Sequence, residues 1–157
     1  MMSDLTRLYT HPDCEIHEMP RHPERPDRLR SVMSRLTESG IVSETNVVLA
    51  SEVSDDLLSK IHPKTYIEFI NRSEPESTVI KVEADTYMSQ GSLRASKLAA
   101  GACAAATRDV LNGDARRVFC AVRPPGHHAE VAAAMGFCLF NNIALAAELA
   151  LANESVS

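Results

Sequence analysis

Tryptophan is absent from this chain, and aromatic residues make up only 4% of it. Little is left for stacking on bases or sugars, which argues against recognition through aromatic platforms. The four cysteines, Cys14, Cys103, Cys120 and Cys138, are scattered and form no CxxC pair. Reduced thiols in a cytoplasm are a simpler reading than a disulfide framework. No uninterrupted apolar run approaches the roughly 20 residues that cross a bilayer. The opening MMSDLTRLYTHPDCE carries acids early and has no apolar core of a secretory signal. A net charge of −5 argues against binding nucleic acid through the whole surface. The expectation is a cytoplasmic protein with neither nucleic acid nor membrane as partner. There is no internal repeat and no low-complexity tract.

What is present is one domain's worth of chain: 157 residues, 45% hydrophobic and 24% charged. That is long enough to bury a core unaided. Residues 5–9 predict a first short strand. Residues 17–27 are polar and rich in proline, so they form a loop with set turns. From Arg28 the spacing of Leu29, Val32, Met33 and Leu36 is helical, with Gly40 as its stop. Residues 47–50 predict a buried strand. Ser54 caps a short helix over 55–61, and Pro63 opens another whose Tyr66, Ile67 and Ile70 share a face.

Residues 74–87 read as irregular. The longest helix is predicted over 88–111, dense in alanine for close packing, with Arg94, Lys97, Arg108 and Asp109 on its wet side. Residues 117–122 predict a third strand. The last helix, 142–153, carries one charge, Glu148, and calls for cover on almost every face. Strands alternating with helices imply an α/β fold with a parallel sheet buried on both faces. The chain offers few elements to cover its last helix, so it reads as the front part of something larger.

Residues 123–142, RPPGHHAEVAAAMGFCLFNN, look built for chemistry. Pro124, Pro125 and Gly126 deny regular structure to the loop that carries His127 and His128, and a strand delivers that loop to a sheet edge. Adjacent imidazoles titrate near neutral pH and couple, so one is driven neutral, as a base, while the other stays charged or hydrogen-bonded. Taken alone the HH pair is weak; PPG before it and GFCLFNN after it are specific. His22 and Arg25 read as charge pairs shaping the start of a helix. His62 reads as a positive group at a helix end, and Asn141 and Asn142 as a helix cap.

Several blocks in order resemble the histone deacetylase superfamily: His22-Pro23-Glu24-Arg25-Pro26 with Arg28 and Leu29, Asp85-Thr86-Tyr87 with Gly91-Ser92, residues 123–130, and residues 136–142. The RPPGHHAE form is similar to class II and bacterial members, among them acetylpolyamine amidohydrolases and the acetoin-utilisation type. The resemblance implies a three-layer αβα fold with a mainly parallel sheet, arginase/deacetylase-like and incomplete in this chain. It implies a zinc-dependent hydrolase that removes acetyl from acetyl-lysine, an acetylpolyamine or a similar acetylated amine. His128 would be the main general base and acid, and His127 chiefly electrostatic. Gly136 and Phe137 would line the substrate channel and Cys138 its floor, although a small buried hydrophobe is an equal reading of Cys138. Asp85 falls where relatives hold substrate backbone, or else serves a turn or cap.

The family's Zn2+ ligands, a D-x-H arrangement and a later aspartate, have no match here, nor does its carbonyl-polarising tyrosine. The expectation is therefore the N-terminal part of a single deacetylase-like domain, stopping before the zinc-ligand strand, with no metal site of its own. As an isolated polypeptide it is expected to be inactive. The alternative is a non-catalytic half-domain that associates with itself or a complementary half through uncovered apolar surface. A third reading, a metal-free acid/base enzyme, needs a carboxylate for His127, and Glu130 is the only near one in sequence.

Overall fold

The computed structural model describes residues 6–43, 46–154 and 156. Three short parallel strands form its sheet in the order β2-β1-β5: β1 (Thr6–Thr10), β2 (Val47–Leu49) and β5 (Arg117–Cys120). Around them lie α1 (Pro26–Glu38), α2 (Asp55–Leu58), α3 (Lys64–Arg72), α4 (Ser92–Asn112) and α5 (Asn142–Leu151). Leu5, assigned above to the first strand, lies outside the described residues.

Side chains alternate along a strand, so the two buried neighbours Leu8 and Tyr9 point to opposite faces of β1. Tyr9 is in register with Cys120, and this face carries α4: the Tyr9 hydroxyl donates to Asp109, and the Cys120 thiol meets Cys103. Leu8 is in register with Phe119 on the other face, where α1 lays Leu29 and Val32 along β5. The result is helix, sheet, helix. Burial on both faces holds for central β1 only, since Leu49 and Phe119 on its flanking strands stay exposed. Among the described residues these flanking strands are the sheet's edges, and an edge strand has one side without a neighbour to cover it.

The alanine-rich α4 joins two cores. Leu98, Ala102 and Ala106 belong to the core built around the sheet, with Tyr9 and Ala50 and, from α1, Leu29. Ala100 and Ala104 face the second core, with Leu58, Ile67, Ile70, Leu139 and Leu145 from α2, α3, the 123–142 segment and α5. Gly101 lies between them. A Cβ there would stand 1.9 Å from the Ser51 carbonyl oxygen, so only hydrogen lets the post-β2 loop lie on the helix. The expected packing role of the small residues is borne out.

Three expectations are corrected. Residues 74–87 are not all irregular: β3 (Ile80–Glu83) and β4 (Thr86–Met88) make an antiparallel hairpin with a register shift at Lys81/Glu83. Because Met88 belongs to that hairpin, α4 starts at Ser92. Asp109 is not on a wet face, for it is half-buried and accepts hydrogen bonds from Arg7, at 2.5 Å, and from Tyr9. In keeping with the few elements available to cover it, α5 buries Asn142 and Leu145 but leaves Ile143 and Leu151 in solvent. Among the described residues no helix is long and apolar enough to cross a membrane.

Candidate functional site

β5 ends at Cys120, and the chain leaves it through Arg123 and two prolines into the histidine loop. A backbone bond from Ala129 N–H to the Gly126 carbonyl closes the turn. His127 and His128 are exposed, and their rings stand with centroids 4.2 Å apart at 45°.

Gly136 passes directly beneath His128. A Cβ at this glycine would meet the His128 Cβ, Cγ and Cδ2 atoms at 2.7 Å each, and its φ is +58°. Glycine is thus required twice, for the backbone sign and for the space. Phe137 follows at φ +69°, a region that costs a bulky residue about 1–3 kcal/mol. Its N–H donates to Thr86 Oγ1 at 3.1 Å, and the Gly136 N–H donates to Asp85 Oδ1 at 3.0 Å. The β3–β4 hairpin tip therefore holds the strained pair in place.

Cys138 lies next in the chain. It is fully buried, and its thiol donates to the Gly136 carbonyl at 3.3 Å. Burial pushes this thiol up, while the backbone N–H groups of His128 and Ala129 pull it down less strongly. A protonated thiol beneath the histidine pair is the outcome.

The structure thus brings His127, His128, Gly136, Phe137, Cys138 and Asp85 into one neighbourhood. Asp85 sits at the turn between β3 and β4, where Oδ1 also accepts the Thr86 hydroxyl at 3.0 Å. Glu130 makes no ion pair with either imidazole among the described residues, so the metal-free acid/base reading lacks its carboxylate.

His22, which sequence reasoning assigned to a charge pair at the start of a helix, belongs here too, with Glu24 and Arg123. His22 does not form a charge pair. Its ring meets Phe137 edge-on at 4.7 Å and Tyr87 at 5.8 Å, and its Nδ1 accepts the Glu24 N–H at 3.1 Å. Arg25, by contrast, makes the expected exposed pair with Asp27 at the start of α1. Glu24 and Arg123 are buried against each other behind the loop.

His62 is no positive group at a helix end. It is buried; its Nε2 accepts the Asn141 N–H at 3.0 Å, which leaves the proton on Nδ1 to donate to the Val131 carbonyl at 2.9 Å. Burial holds its pKa below the usual imidazole range, so it is a neutral brace between residues 131 and 141. The cap is as expected: Asn141 Oδ1 accepts the Ala144 N–H at 2.9 Å, while its Nδ2 donates to the Ala129 carbonyl at 2.8 Å. Tyr66 donates its hydroxyl to the Leu139 carbonyl at 2.7 Å. Long-range partners like these leave no signal in sequence spacing.

Zinc was implied by resemblance, and the side chains present do not fit it. Among the described residues no three of His, Cys, Asp or Glu lie close enough together to hold a metal ion. Three protein ligands are the least that a catalytic zinc site uses.

The histone deacetylase domain family matches residues 22–157. Histone deacetylase 15 of Arabidopsis thaliana is 38% identical over 147 residues, which cover 93% of this chain and 26% of that protein. A probable deacetylase of Archaeoglobus fulgidus is 33% identical, covering 90% of this chain and 40% of its own length. The polyamine deacetylase HDAC10 of Homo sapiens is 34% identical, covering 89% and 21%. Among solved structures, the crystal structure of the HDA15 HD domain superposes with a TM-score of 0.87 at 36% identity, over 94% of this chain and 43% of that one. The chain therefore spans less than half the length of each of these relatives.

Proposed function

This chain belongs to the histone deacetylase family and has its α/β, arginase/deacetylase-like fold, and from that premise we propose that it supplies the proton-transfer and substrate-channel side of a deacetylase site. The substrate is an acetylated amine, either an acetyl-lysine side chain or an acetylpolyamine; a net charge of −5 suits a cationic amine product. Water adds to the acetamide carbonyl carbon, the C–N bond breaks, and acetate and the free amine leave. His128 takes the proton from the attacking water and returns it to the departing nitrogen. His127, whose ring lies 4.2 Å away, acts chiefly electrostatically. Gly136 and Phe137 wall the acyl chain, Cys138 closes the floor, and Asp85 holds the wall from behind.

The single observation that carries this reading is the packing of exposed His128 directly on Gly136, beside Phe137. It supports the reading because a solvent-reachable imidazole lies against a turn that Asp85 and Thr86 hold in place.

Zinc dependence is part of the proposal, and the described residues do not by themselves supply a set of ligands for it. By itself the 157-residue chain therefore hydrolyses no acetamide. The test is an assay of purified chain, with added zinc, on an acetyl-lysine peptide and on an acetylated polyamine. No turnover is expected; turnover lost in His128→Ala would overturn the inactivity. In an active preparation, turnover that survives His128→Ala would overturn its role. A second reading, association with another chain, is favoured by the exposure of Phe119 at 49%, Ile143 at 58% and Leu151 at 76%. Sedimentation over a concentration series reads it directly.

A further inference from the structure

Behind the histidines lies a buried group of charges that the proposed reaction does not use. Arg123, at the root of the histidine loop, is 2% exposed, and Glu24, just before α1, is 1% exposed. The guanidinium grips the carboxylate at two points, Nε to Oε1 at 3.0 Å and Nη2 to Oε2 at 2.5 Å. Its remaining bonds run to the carbonyls of Cys14, at 2.8 Å, and His17, at 2.6 Å. Every partner of Arg123 therefore comes from the segment that leads into α1.

His17 stands beside the pair and is also buried. Its Nδ1 lies 2.7 Å from the Ser92 hydroxyl, which accepts the Ser89 N–H at 2.8 Å and so has its own proton free for the imidazole. That leaves the ring proton on Nε2, which has no hydrogen-bond partner and points toward Glu24 Oε2 at 3.6 Å. Arg123, Glu24, His22 and Ser92 are the groups around this ring; from the solvent side Arg28 adds a contact to Glu24 Oε1 at 3.2 Å.

Buried ion pairs add little net stability over well-packed apolar side chains. What a two-point guanidinium–carboxylate bond does supply is a fixed angle. Two connections lead from this bond to the site. Downstream of Arg123, Pro124 and Pro125 have fixed φ and pass its orientation to the histidines with little slack. Upstream of Glu24 lies His22, whose ring meets Phe137.

We propose that Glu24 is a positioning residue for the tandem histidines: its grip on Arg123 sets where His127 and His128 stand relative to Phe137. The use made of those histidines rests on the deacetylase reading; the grip itself does not.

The experiment is NMR of the 157-residue chain, following the imidazole signals of His127 and His128 and the ring signals of Phe137. Wild type, Glu24→Gln, Glu24→Gln/Arg123→Gln and Arg28→Ala are compared. Glu24→Gln is expected to move or broaden all three sets while the methyl signals of Leu58 and Leu145 keep their positions. Arg28→Ala, which removes a charge from the same oxygen at the surface, is expected to leave them unmoved. Unshifted imidazoles in Glu24→Gln overturn the proposal, as do equal shifts in Arg28→Ala. Should neither Glu24 variant fold, hydrogen exchange in the unaltered chain decides. The Arg123 Nε–H and the Ala129 N–H, which closes the loop, are expected to show the same opening free energy, once each is corrected for its intrinsic exchange rate, through one shared opening. Independent openings overturn it. Because no readout is turnover, failure of the deacetylase reading would leave this proposal to stand or fall separately.

Discussion

The two ends of the histidine loop are held in opposite ways. At Arg123 the anchors are charged and dry: a guanidinium, a carboxylate and a neutral imidazole, all buried. At His127 and His128 the imidazoles are wet, and shape holds them: a glycine that leaves room for one ring and a neighbour ring 4.2 Å away. Groups that exchange protons near neutral pH need water, because burial alone drives an imidazole to one protonation state. His17, held down to about 3 chiefly by burial and then by Arg123 and His22, shows what the histidine pair would lose behind the loop. Rigidity is therefore supplied by neighbours that can afford to be dry.

The strongest way to break this contrast is Arg123→Ala. It leaves Glu24 buried without its partner, and a loss of about 3–5 kcal/mol is expected in urea unfolding. A loss below about 1 kcal/mol would show that the dry end is no anchor.

Acid is the next largest effect. The unfolded chain protonates His17 near pH 6.5 and the folded chain only near 3. Between those values unfolding takes up a proton, so stability is complete above pH 6.5 and falls as pH drops, by about 1.4 kcal/mol per unit. The lowered pKa of His62 adds a loss of the same sign. Urea midpoints measured from pH 8 to 5 are expected to fall toward acid, with a shallower slope in His17→Gln; parallel slopes would exonerate His17.

Gly136→Ala strikes the wet end and is expected to act locally. Its cost is about 1–3 kcal/mol from the positive φ, and its main sign is a displaced His128 ring, read from that residue's imidazole signal. An unmoved ring would mean that shape does not set the histidine. The smallest effect is Asn141→Asp, which keeps the α5 cap oxygen but deletes the donor to the Ala129 carbonyl. About 1 kcal/mol of thermal stability is expected to go; no change would detach the loop from α5.

Much of this architecture was legible in the residues. The three strands, the proline-rich loop, the Asn141 cap and the tight packing of α4 follow from local preference and period. The β3–β4 hairpin was not legible, because its strands run to four and three residues and a register shift interrupts their alternation. His62 was misjudged for a different reason. Its partners, Val131 and Asn141, lie 69 and 79 residues away, and no spacing rule reaches that far. Glu24 and Arg123 stood in two separate motif blocks, and their pairing across 99 residues had no local signal for the same cause.

By itself the sequence determined where the backbone must turn, stiffen or coil, since prolines, glycines and apolar periods act over a few bonds. It also placed His127 and His128 in a loop that regular structure cannot absorb. Only the tertiary structure decided which histidines are dry braces and which stand in solvent. An imidazole's charge depends on the solvent and partners around it, and those arrive from distant parts of the chain.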